Sequence, residues 1–178
     1  MTSTSSSPDG PEAVAAHYGL EPLPVEGGRF RRTWAGPPGP DGRPAGSAIL
    51  VLLTSAPDDF SALHRLPIDE VWHFYRGDPL ELVLLAPDGT DRLVRLGLDV
   101  VQFVVPAGTW MGARVAAGGD WSLVGTTMAP GFMERDYEGG DADVLAARYP
   151  GRAGVIRELC RPGAPLSMEE GEEDGGHV

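Results

Sequence analysis

The sequence predicts an all-β fold, and three observations carry that reading. About nine short runs of branched and aromatic residues follow one another at close spacing between residues 29 and 128. Turn signals separate them, in a chain of 178 residues that holds 25 Gly and 17 Pro. No helical pattern interrupts the series, so the strands are expected to form an antiparallel sandwich or barrel.

The flanks are different in texture. MTSTSSSPDG (residues 1–10) has almost no apolar content and is expected to be disordered. Pro11 to Tyr18 predicts a short helix, with Pro11 at its first position, Val14 and Tyr18 on one face, and Gly19 as its stop. A strand follows over Arg29 to Trp34, and AGPPGPDGRPAG (35–46) cannot enter a ladder and reads as an exposed loop.

SAILVLLT (47–54) is continuous in branched apolar residues and predicts a central strand. Phe60 to Leu82 supplies about two strands more and holds the densest chemistry, with His64, Asp69, Glu70 and His73 together. LELVLLA (80–86) and DRLVRLG (91–97) flank Pro87-Asp88-Gly89-Thr90, a hairpin turn. VVQFVV (100–105), TWMGARVA (109–116) and DWSLVGTTM (120–128) complete the series, with Gly118-Gly119 between the last two. Beyond Phe132, Asp141 caps a helix running to Tyr149, and Val155, Ile156 and Leu159 share the face of a last short one. From Pro162 the chain is Gly-rich and acidic and is expected to be a mobile, solvated tail. The domain is therefore 11–161 and the tail 162–178.

Charge and composition exclude several function classes. The formal net charge is −12, with Glu169, Glu170, Glu172, Glu173 and Asp174 crowded at the end, and such a surface repels nucleic acid. The single cysteine, Cys160, allows neither an internal disulfide nor a cysteine-based zinc site. No apolar run reaches the roughly 18 residues of a membrane span, and no signal-peptide core precedes the domain, so a cytoplasmic protein is expected.

Four segments, EGGRFRRTW, HRLPIDEVWHFYRGDPLEL, VVPAGTW and SLVGTTMAPGF, occur in the order found in a family of small cupins of the DUF985 type. The chain resembles that family over Glu12 to Leu159. The resemblance implies a double-stranded β-helix, the cupin jelly-roll barrel, with short terminal helices, a pocket inside the barrel and a homodimer.

It also implies a comparison with the metal motifs of cupins at large. His64, Leu66, Glu70 and Gly77 stand at the positions of the first motif, where Leu66 replaces a histidine. Pro106 and Gly108 match the second, where Met111 replaces its histidine. Arg29 and Arg32 stand where relatives have an aromatic and an acid, and Asp136 matches a family acid expected to close a loop over the barrel mouth. A thioether and a leucine are poor ligands for a hard divalent ion, so no metal is expected; if one binds, His64 and Glu70 hold it.

Strand alternation sorts the remaining candidates. If Glu70 points inward, so do Trp72 and Phe74, while Val71, His73 and Tyr75 point outward unless a bulge intervenes. His64 and Glu70 are then the acid–base pair, and Trp72, Phe74, Gln102, Trp110, Met111 and Arg29 are the expected substrate contacts. Arg29 would pair a ligand carboxylate, Asp69 reads as a turn residue, and nothing places Tyr137 near His64. The expected ligand is a small apolar or ring-containing metabolite. The expected chemistry is metal-independent isomerisation, epimerisation or cyclisation of the kind that related cupin sugar epimerases perform. A metal-dependent oxygenase and a non-catalytic binding module remain as alternatives.

Overall fold

Apolar residues along each central strand recur at every second position on one face, and two sheets bury those faces against each other. The computed structural model describes residues 9–168. In chain order the elements are α1 (Pro11–Tyr18), β1 (Glu21–Pro22), β2 (Arg29–Ala35), β3 (Ser47–Thr54), β4 (Ser61–Arg65) and β5 (Glu70–Gly77). They continue with β6 (Leu80–Leu85), β7 (Asp91–Leu96), β8 (Gln102–Val105), β9 (Trp110–Val115) and β10 (Trp121–Met128). A 3₁₀ turn at Glu134–Asp136 leads into β11 (Glu138–Gly139), and α2 (Ala142–Arg148) and α3 (Ala153–Glu158) close the fold.

One sheet runs β1-β2-β3-β10-β5-β8 and the other β11-β4-β9-β6-β7, and every pairing within them is antiparallel. This is the jelly-roll arrangement of a cupin. Between the sheets lies a core containing Leu53, Trp72, Leu82, Leu96, Met111 and Val124. A second cluster on the outer side of β9 and β6 packs Trp110, Val83 and Leu85 against Leu145 of α2 and Ile156 of α3. The third holds α1 through Val14 and Ala15 against Leu52 and Leu123. No helix among the described residues is long and apolar enough to cross a membrane.

Register shifts occur in β4, in β5 and, between Arg32 and Trp34, in β2, and the one in β4 decides which side chains meet inside. In β4, Ser61 pairs with Ala113 and His64 with Met111, so three steps on one strand oppose two on the other. The extra residue brings Ser61 and His64 to the same inner face, which strict alternation forbids. In β5 the shift falls at Tyr75, between Phe74 opposite Val124 and Arg76 opposite Leu123. It comes after His73 and leaves the parity of Glu70, His73 and Phe74 intact.

The ends expected to be disordered, 1–10 and 162–178, are described only in part. Residues 1–8 and 169–178 lie outside the described residues, but 162–168 are placed against the barrel. The Leu166 carbonyl accepts a hydrogen bond from Gly139 N at 2.8 Å, and Pro165, Ser167 and Met168 form part of a cavity wall. The anchor is the backbone: Leu166 itself stays 49 % exposed, and of LSM only Met168 is half-buried.

Candidate active site

The inner rows of the larger sheet begin at one end of the barrel with polar side chains and continue inward with apolar ones. At the polar end they enclose a cavity of about 600 Å³, a size suited to a small organic ligand. Phe30 and Arg32 of β2, Ile49 of β3, Thr126 of β10 and Glu70 of β5 line it from the larger sheet, and His64 of β4 and Leu66 line it from across. Glu26, Phe132 and the Pro165–Met168 segment complete the rim.

His64 is 2 % exposed, and its Nδ1 lies 2.7 Å from the Ala62 carbonyl oxygen. A carbonyl only accepts, so Nδ1 carries a proton, and in the neutral form of the ring Nε2 is left as the bare nitrogen. That nitrogen is 4.0 Å from Glu26 Oε1, beyond direct hydrogen-bond reach yet close enough for Glu26 to stabilise an imidazolium. Glu26 is itself oriented by the Ser61 hydroxyl, which donates to Oε1 at 2.7 Å. Tyr137 stacks on the imidazole with centroids 5.2 Å apart and planes 16° from parallel, which fixes the ring plane. Burial, reinforced by the Glu26 charge, pushes the Tyr137 phenol far above its ordinary value, so it stays protonated.

Glu70 is 6 % exposed. Its Oε2 accepts a hydrogen bond from Trp72 Nε1 at 2.9 Å, and the Thr126 hydroxyl also bonds the carboxyl. Burial raises its pKa to about 7; His64 pulls it down and Glu26 pushes it up. Near neutral pH this carboxyl is divided between its acid and base forms, the condition for proton transfer in either direction.

The other expected contacts do not line the cavity. Trp72, Phe74 and Met111 do point inward, but they lie in the packed core, 1 %, 8 % and 1 % exposed. Trp72 touches the site only by holding Glu70. Trp110 is on the opposite face of β9 from Met111, buried under α2 and α3, with the Arg65 guanidinium over its ring. Gln102 is exposed on the outer face of β8 and bonds His73 Nδ1 at 3.1 Å, because it pairs directly with an outward residue. Arg29 turns away and forms a bidentate pair with Glu12 of α1; the inward positions of β2 are Phe30 and Arg32.

His73 faces outward as alternation requires, bonded to Thr127 Oγ1 at 3.1 Å, and burial lowers its pKa. Asp69 Oδ1 accepts from Ala107 N at 2.8 Å, a loop-bracing role. Asp136 binds Arg43 through both oxygens and so ties the proline-rich loop 35–46 to the segment carrying Glu134 at the cavity rim. Cys160 is buried, and its thiol is pushed up to about 11, which makes it inert.

Tyr137 and Glu26 escaped sequence reasoning. Tyr137 arrives through the pairing of β11 with β4, where Gly139 lies opposite His64. Glu26 sits in a Pro/Gly-punctuated approach with no periodicity to orient it. The only available signal was its Ser/His-accepting chemistry, which spacing does not encode.

A cupin metal centre does not fit these residues. Among the described residues no three His, Cys, Asp or Glu side chains converge on a point that could hold a metal ion. The two positions that would complete His64 and Glu70 carry the side chains of Leu66 and Met111, both buried and apolar.

Residues 12–139 match a family described as Cupin superfamily (DUF985). No curated protein matches the chain. Among solved structures, a protein from Shewanella oneidensis is 32 % identical, with 86 % of this chain and 99 % of that one covered and a TM-score of 0.78. A hypothetical protein from Leishmania major is 30 % identical, with 85 % and 99 % covered and a TM-score of 0.76. A cupin 2 domain-containing protein from Halorhodospira halophila shares the fold, at 17 % identity over 80 % of this chain and 88 % of that one, with a TM-score of 0.54.

Proposed function

The chain belongs to the cupin superfamily, in its DUF985 group, and from that premise we propose that it is a metal-independent isomerase, epimerase or cyclase acting on a small carbonyl-bearing metabolite bound in the barrel. One observation carries the proposal: His64 Nε2, from the smaller sheet, and the Glu70 carboxyl, from the larger one, line the same cavity close enough to interact electrostatically. A carbon acid beside a carbonyl needs a base for its C–H and an acid for the oxygen. His64 Nε2 takes the proton, protonated Glu70 gives one to the carbonyl oxygen, and an enol forms. Glu26 faces the resulting imidazolium, and the apolar residues Phe30, Ile49 and Leu66 keep water from the enol. Return of the proton to the other face, or to the neighbouring carbon, regenerates both groups, so no external reductant or oxidant enters.

The protein is proposed to act as a cytoplasmic homodimer without a cofactor. Native mass spectrometry of freshly purified protein reports subunit number, metal content and any co-purified ligand together. The catalytic part is tested by incubating the protein in D₂O with a panel of ketones and keto acids and following C–H exchange by NMR. The expected result is exchange above the buffer rate that His64→Ala reduces by about 100-fold or more. Ligand capture that survives His64→Ala, with no exchange in either protein, would instead identify a binding module. Stoichiometric metal whose removal abolishes activity would restore the oxygenase alternative.

A further inference from the structure

β2 presents three arginines in four residues, and their fates differ. Arg29 is held by Glu12 at 2.7 Å and 2.8 Å, and Arg31 donates to the Tyr18 carbonyl at 3.1 Å. Both lie on the α1 side. Arg32 lies on the cavity side and has no hydrogen-bond or ion-pair partner among the described residues. It is solvent-exposed, at the edge of a cavity whose nearer walls are the apolar Phe30 and Ile49.

The ladder gives its distance from the chemistry. Arg32 pairs with Ile49, Ile49 pairs with Thr126, and Thr126 bonds the Glu70 carboxyl. Two strand spacings separate the Arg32 backbone from that of Thr126, about 10 Å. Between the two ends lies apolar surface.

From this arrangement the geometry points to a substrate with three parts: a carbonyl at His64 and Glu70, an apolar body, and a carboxylate several bonds away that Arg32 receives at the mouth. Arg32 is then a specificity-determining residue. The assignment deepens the carbonyl reading above and rests on it for the position of the carbonyl. A planar guanidinium matches a carboxylate through two parallel hydrogen bonds. A phosphate dianion fits less well, because Glu26 and Glu134 line the same cavity and one guanidinium leaves its second charge facing them.

The test is a binding experiment that needs no turnover. Titration calorimetry on the full chain compares 3-benzoylpropionate and 5-oxo-5-phenylpentanoate with their neutral primary amides, and with phenylphosphonate at a pH where it is a dianion. At least one acid is expected to bind about ten-fold tighter than its amide and tighter than the phosphonate. Arg32→Gln should erase that preference, and Arg32→Lys should keep part of it. Circular dichroism and melting of both variants should match wild type, since Arg32 contributes no contact to the core.

Equal affinity for acid and amide, no binding by any acid, or a preference that survives Arg32→Gln would overturn the assignment. So would tighter binding of the dianion. The chain's own glutamates follow Met168, which is on the cavity rim, and they are the rival partner for Arg32. A double variant, Glu169→Gln with Glu170→Gln, separates the two: an acid preference present only in that variant assigns Arg32 to the tail and overturns the ligand reading. Failure of the D₂O exchange with binding preference intact would sink the enzymatic reading and leave the carboxylate assignment standing.

Discussion

The interior of this barrel has two halves built from the same rows of side chains. Along β5 the inward residues run Glu70, Trp72, Phe74, and along β3 they run Ser47, Ile49, Val51, Leu53. At the Glu70 end the rows stop short of filling the space and leave the cavity; toward Phe74 and Leu53 they pack with Leu82 and Val124 in the buried core. The difference teaches that pointing inward and touching a ligand are separate properties. Two residues on one strand face line the cavity or build the wall behind it according to how far they lie from the open end.

The boundary between the halves can be broken at Trp72, and that should give the largest effect. Trp72→Ala removes a fully buried ring from the packed half and the Nε1–H that holds Glu70 in the open half. A loss of about 3–5 kcal/mol in denaturant unfolding is expected. A Trp72→Ala protein as stable as wild type would mean that the packed half extends less deeply than the structure shows.

Next in size is the burial of Glu70, which sharpens the distinction by titration. Its folded pKa of about 7 stands above the ordinary value of 4.5, so ionising the carboxyl penalises the folded state. The penalty is absent below the ordinary value, grows as pH rises and is complete above pH 7. The two and a half units correspond to about 3 kcal/mol. Glu70→Gln should therefore gain stability relative to wild type as pH rises through this window, with the gap constant above it. Equilibrium unfolding at a series of pH values measures the gap; parallel curves would show Glu70 to be ordinary and remove its role as an acid at neutral pH.

The smallest effect belongs to the outer face. Gln102→Ala removes an exposed amide whose partner is His73, and stability should change by no more than about 0.5 kcal/mol. Ligand affinity should not move at all. A clear change in ligand affinity would place the outer face of β8 in contact with the cavity, against the observed register.

His64 and Glu70 were legible as a pair because motif spacing in a resembled family depends on the same barrel that places them. His73 was legible as outward because the β5 bulge falls beyond it, at Tyr75. The capped helix at Asp141 follows from a side chain that accepts from Asp143 N and Val144 N, a local interaction that local sequence can announce. Arg29 misled because three arginines in four residues look alike until the first pairing partner is known. Trp110 misled for the opposite reason: its aromatic character suits a ligand platform, yet only the placement of α2 and α3 shows which face of β9 they cover.

By itself the sequence determined the all-β class, the strand succession and the shared parity of Glu70, Trp72 and Phe74. These rest on period, turn chemistry and residue type, which act over a few neighbours. Only the tertiary structure decided that Tyr137 stacks on His64, that Glu26 faces its Nε2, and that Arg32 stands at the mouth with no partner among the described residues. Those contacts join segments far apart in the chain through bulges, a two-residue strand and loop paths. Their cost and reward depend on how the two sheets pack, so no short stretch of sequence carries them.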